Sequence, residues 1–159
     1  MSMLEERADV AQATLFAGYD ELKELWEAVE AQLTRHHIPH DVGHTYYYPG
    51  DEQEYDIDPY EKQLGMAKAK GKWRLCHSES HINDQSERDW TPIVECSAWL
   101  RVRMVRYIPK LREAVVAGSE RFIPEVQRAI AALRKELLAE PPTIPELLAE
   151  RAKLNGKHP

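Results

Sequence analysis

Apolar residues near the start of the chain recur in alternating steps of four and three: Leu15, Tyr19, Leu22, Trp26, Val29 and Leu33. That spacing holds one face of an α-helix apolar, so one long helix is predicted over residues 3–35. Asp20, Glu21, Glu24, Glu27 and Glu30 fall outside the stripe and give this helix an acidic flank, which must face water or a basic surface. Gly18 weakens the element near its middle. Pro39 ends it, because the residue before a proline is driven out of helical dihedrals.

From 40 to 96 the pattern changes to short aromatic or alternating stretches between turn residues, which predicts strands. His44–Tyr48 is one, closed by Pro49-Gly50. Leu64–Ala69 and Lys72–Ser78 form a hairpin turning at Lys70-Gly71. Residues 51–58 read as a solvated acidic loop, and Glu79–Asp89 as a polar surface loop leading to an extended Trp90-Thr91-Pro92-Ile93.

Helical spacing then returns. Ser97 is placed to cap a helix whose apolar positions are Trp99, Val102, Val105, Ile108, Leu111 and Val115. Gly118 is read as its stop and Ser119 as a restart. A further helix over 120–139 carries Phe122, Val126, Ile130, Leu133 and Leu137 on one stripe and ends at Pro141-Pro142, with a last short helix from Pro145 to Leu154. An Ile-Pro pair recurs at Ile108-Pro109, Ile123-Pro124 and Ile144-Pro145, at unequal spacings of 15 and 21 that argue against a solenoid. Each proline is expected to open a helix; the alternative is that Pro109 and Pro124 kink continuous ones.

The order helix, strands, helices predicts an α+β fold: a long N-terminal helix and two C-terminal helices packed with a small antiparallel sheet of about three strands. At 159 residues and 43% hydrophobic, the chain is expected to form a single domain over 1–159 with a real core. Cys76 and Cys96 are too few for a disulfide framework and read as reduced thiols in a cytoplasmic protein. The first residues reach no apolar run before acidic ones resume, so neither a signal peptide nor a membrane span is expected.

Charge sharpens the picture. Residues 1–61 hold 15 acidic against 3 basic side chains, residues 62–112 hold 5 against 11, and residues 113–159 balance at 7 each, so a net charge of −6 conceals segments of −12, +6 and zero. Within the basic segment, Lys70, Lys72 and Arg74 on the hairpin and Arg103 and Arg106 on the following helix are candidate anion-binding residues, with Lys68, Lys110 and the stacking face of Trp73 nearby. The rival use of these charges needs no outside ligand: the acidic flank of the first helix lying against the stripe of Arg103, Arg106 and Lys110, within one chain or between subunits.

Other constellations carry less. His36, His37, His40 and His44 crowd together, but Pro39 and Gly43 break the helix that would align them as metal ligands. Cys76 and His77 would point to opposite faces of a strand, which opposes both a shared metal and a nucleophilic pair. Neither a glycine-rich phosphate loop nor the glycine and terminal glutamate of a calcium loop is present.

No catalytic constellation, metal site or cofactor is assigned. The expected function is a non-enzymatic protein–protein interaction module, a homodimer joined through the helical seam of Leu15, Tyr19, Leu22, Trp26 and Val29. Nucleic-acid or polyanion binding by the basic residues is the second reading, not favoured for a chain of pI near 5.7, and a metal-dependent hydrolase ranks last.

Overall fold

The structure, a computed structural model, describes residues 2–50, 58–84, 88–139 and 141–156. They fall into two compact units, 1–121 and 122–159. The first contains α1 (Met3–Thr34), β1 (Val42–Tyr47), β2 (Tyr60–Ala69), β3 (Lys72–His81), β4 (Trp90–Pro92), α2 (Ala98–Met104) and the opening half of α3 (Ile108–Leu138). The fold is α+β, with four strands rather than about three.

Local chemistry explains the boundaries. Ser2 and Glu5 form a capping box that satisfies two orphan N–H groups of α1: Ser2 N–H donates to Glu5 Oε2 at 2.6 Å and Glu5 N–H to Ser2 Oγ at 3.3 Å. Ser97 caps α2 by accepting from Leu100 N–H at 3.2 Å. The β2–β3 hairpin turns at Lys70 and Gly71, whose φ values of 52° and 79° suit the tight turn that matches strand twist.

The sheet is an antiparallel meander in the order β1-β2-β3-β4. Its register puts Val42, Met66 and Leu75 side by side on one face, with Leu64 beside them. Trp26 and Leu33 of α1, with Ile38, Ile93, Met104, Leu111 and Val115, close over that face to form the core. Each such side chain contributes on the order of 1.5–3 kcal/mol of transfer free energy. On the opposite face the register aligns Gly43, Gly65, Cys76 and Pro92, and the Trp90 indole lies across the two glycines. A Cβ on Gly65 would sit 2.7 Å from Trp90 Cη2, so only glycine admits the ring.

Several sequence expectations change. Glu79–His81 extend β3 rather than starting a loop. Gly118 does not stop α3: a Cβ there would meet Val42 Cγ2 at 2.5 Å, so the glycine lets the helix approach β1 closely. The break lies earlier, in a 3₁₀ turn at Val105–Tyr107. Pro109 accounts for it, since a proline ring in continuous α-helix collides with the carbonyl four residues back, here Val105. Pro109 and Pro145 therefore lie in first turns, whereas Pro124 lies inside α3. Residues 51–57 of the expected acidic loop and 85–87 of the expected polar loop are outside the described residues.

The second unit comprises the rest of α3 and α4 (Ile144–Asn155), whose start is capped by Thr143 N–H donating to Glu146 Oε2 at 2.8 Å. None of its described residues is buried. Among the described residues no helix is long and apolar enough to cross a membrane.

Candidate functional site

The stripe on α1 divides along its length. Trp26 is 2% exposed in the core, and Leu22 and Val29 pack against it. Tyr19 is half-buried, with Phe16 edge-on at 6.4 Å, and Leu15 is 53% exposed. Three of the five seam residues proposed for self-association are thus engaged in holding α1 to its own sheet.

The basic residues separate into two places. On the hairpin, the register pairs Lys68 with Trp73 and Ala69 with Lys72, which sends Lys68 to one face of the sheet and Lys72 and Arg74 to the other. Lys68 Nζ lies 5.6 Å over the Trp73 ring. Lys70, Lys72 and Arg74 border a shallow cleft of about 570 Å³ with Trp90 and Glu95. Arg74 is not free to meet an anion: its Nε donates to Glu30 Oε1 at 3.0 Å and Oε2 at 3.1 Å, while Leu75 N–H donates to Glu30 Oε2 at 2.9 Å. Glu30 of the acidic flank of α1 therefore meets β3, and among the described residues no flank carboxylate pairs with Arg103, Arg106 or Lys110.

Arg103 and Arg106 border a second cleft, of about 240 Å³, between the sheet on one side and α2 with the 3₁₀ turn after it on the other. The Arg103 guanidinium lies 4.4 Å over Trp99 and that of Arg106 5.9 Å from the Tyr107 ring, the geometry of cation–π contacts. Lys62 on the same wall is pinned to Asp58 at 2.7 Å, so much of its charge is already matched. Tyr46 stacks on Tyr107 at 4.7 Å, and its hydroxyl lies 2.6 Å from His77 Nε2. Burial holds His77 below the ordinary imidazole range and pushes the Tyr46 phenol above its own. At neutral pH the contact therefore joins a protonated phenol and a neutral imidazole.

The far face of the sheet carries a polar network that the sequence reading missed. Glu61 accepts from Thr45 Oγ1 at 3.0 Å, Gln63 Nε2 at 2.8 Å and Arg88 at 2.9 Å, and Gln63 also donates to Thr45 at 2.7 Å. The only trace in the sequence is the alternation of Glu61 and Gln63 along β2, since Thr45 and Arg88 join from distant positions.

The histidine and cysteine groups do not converge. His44 tilts against Tyr107 at 5.7 Å, and among the described residues no three His, Cys, Asp or Glu side chains are placed to hold a metal. Burial, reinforced by Glu30, pushes the Cys76 thiol up to about 12, and burial raises Cys96 as well, so neither sulfur is poised as a thiolate.

The most conspicuous surfaces are apolar. Of the predicted stripe, Leu111 and Val115 are buried as expected, but Trp99, Val102 and Val105 are exposed, Trp99 by 65%, and Met104 is buried in that first part of it. The 3₁₀ turn, with three residues per turn, shifts the helical phase at 105–107 and moves the stripe off a single face. In the second unit, Ile123, Val126, Ile130, Leu133 and Leu137 follow steps of 3, 4, 3 and 4 along α3 and are all exposed, as are Ile144, Leu147, Leu148 and Leu154 of α4. No protein-family model, curated protein or solved structure matches the chain.

Proposed function

We propose that this protein is a protein–protein interaction module that self-associates through helices, and that the contact is the α3 stripe of Ile123, Val126, Ile130, Leu133 and Leu137 rather than the seam on α1. One observation carries the reading: a coiled-coil spacing of apolar side chains on a unit that buries none of its described residues. Steps of 3 and 4 are what a facing helix needs to interdigitate its own side chains. Five aliphatic side chains from each of two copies, ten in all, are worth roughly 15–30 kcal/mol when fully buried, above the roughly 4–15 kcal/mol cost of bringing two bodies together. The α4 side chains add to the favourable side, so association at micromolar concentration is expected.

Polyanion binding ranks second because Arg74 is matched by Glu30 and the hairpin lysines are spread over both faces of the sheet. Light scattering behind a sizing column tests the leading reading. The wild-type chain is expected to elute as a dimer or larger at tens of micromolar, and Leu133→Glu as a monomer with unchanged circular dichroism. A wild-type monomer would overturn the proposal.

A further inference from the structure

The first half of α1 is an arm with no buried residue before Trp26. Between Val10 and Tyr19 it carries no charge, and Val10, Leu15 and Phe16 are exposed there. Acids outnumber bases on both sides of this stretch: Glu5, Glu6 and Asp9 against Arg7 before it, Asp20, Glu21 and Glu24 against Lys23 after it.

The outer side of α2 has the opposite charge and the same apolar centre. Trp99, Val102 and Val105 are exposed, and Arg103 and Arg106 stand among them with no carboxylate in salt-bridge range among the described residues. The dimensions agree, since ten helical residues of the arm span about 15 Å and Trp99 to Arg106 about 10 Å.

We infer that this patch is the docking site for the α1 arm of a second copy of the chain, with Trp99, Val102 and Val105 covering the uncharged stretch and Arg103 and Arg106 meeting its bracketing acids. The inference rests on the self-association proposed above and adds a second contact to it. The arm cannot serve its own patch: α1 is one continuous helix from Met3 to Thr34 without an internal proline, and both arm and patch stay exposed within one chain. A nucleic acid fits the patch less well. Two arginines fall far short of the roughly six to ten phosphate contacts of a useful complex. Val102 and Val105 offer no stacking face, and Glu79 lines the adjoining cleft.

Charge exchange tests this on the full-length chain. Arg103→Glu/Arg106→Glu sets an acidic patch against an acidic arm, and Asp9→Lys/Asp20→Lys/Glu24→Lys sets a basic arm against a basic patch. Each variant is expected to associate at least about tenfold more weakly than wild type at low salt, and an equimolar mixture of the two to regain near-wild-type affinity, because each arm then faces a patch of opposite charge. Restoration in the mixture also shows that both variants fold. Variants that associate like wild type, or a mixture no tighter than its parts, would overturn the inference while leaving the α3 contact to stand or fall by Leu133→Glu. A wild-type monomer would overturn both. Loss of heparin retention in Arg103→Glu/Arg106→Glu without change in mass would assign the patch to polyanions, which also overturns it. Added salt separates the contacts further: the arm–patch contact weakens, whereas the aliphatic α3 contact holds.

Discussion

Trp26 and Leu133 stand on helical stripes with the same alternation of three- and four-residue steps, yet Trp26 is 2% exposed and Leu133 64%. The α1 stripe has a sheet to lie on, built from Val42, Leu64, Met66 and Leu75. The α3 stripe beyond Phe122 has no such floor within its own unit. Spacing fixes which side chains act together; what covers them depends on surfaces supplied from elsewhere. Where the chain supplies that surface the stripe becomes core, and where it does not the stripe stays exposed.

The contrast can be broken most directly by truncation at the two positions. Trp26→Ala is expected to lower the unfolding free energy by about 3–5 kcal/mol, whereas Leu133→Ala in dilute protein stays within about 0.5 kcal/mol of wild type. Urea titration of both variants checks this, and equal losses would put the two stripes on the same footing. A smaller effect sharpens the account of how α3 meets the sheet. Gly118→Val forces a side chain against Val42 and is expected to cost about 1–3 kcal/mol, with Val42→Ala recovering part of it in a double-mutant cycle. Purely additive losses would remove the close approach at 2.5 Å as the reason for glycine.

The smallest expected effect concerns His77. Its folded form resists protonation because of burial, while in the unfolded chain it titrates near pH 6.5. Below that value the unfolded chain takes up the extra proton, so stability is full above about pH 6.5 and declines on acidification. His44, lowered in the same direction by burial, adds to the slope. The melting temperature is expected to fall between about pH 7.5 and about pH 5, and His77→Gln, which keeps an acceptor for Tyr46, to flatten part of that fall. An unchanged slope would show that His77 is not the group responsible.

Much of the fold was legible in local signals. The apolar spacing of α1, the Lys70-Gly71 turn and the Ser97 cap each encode an element within a few residues, and the helix–strands–helices order follows from them. Gly118 was misread because a glycine that stops a helix and one that admits a neighbour look the same until Val42 is placed beside it. Trp99, Val102 and Val105 were read onto one stripe with Leu111 and Val115 because a 3₁₀ turn of three residues leaves the step pattern nearly intact while rotating the face. The candidate site was less legible still: the cleft joins Tyr46, Lys62, Glu79, Arg103 and Tyr107 across three strands and a helix. Charge counts exposed an acidic helix flank and a basic segment, but not that Glu30 would neutralise Arg74 while Arg103 and Arg106 meet no carboxylate among the described residues.

The edges of the sheet bear on how this chain meets others. β4 is only three residues long and ends in Pro92, which has no N–H to offer an incoming strand, and the ladder of β1 with β2 slips register between Thr45 and Tyr47. Short, proline-ended and bulged edges are poor templates for strand addition. Strand addition, which accepts almost any sequence, is therefore disfavoured at these edges, and the association proposed above would rest on side-chain contacts between helices, where a single methylene or charge discriminates. In a crowded solution that bias separates selective assembly from indiscriminate aggregation.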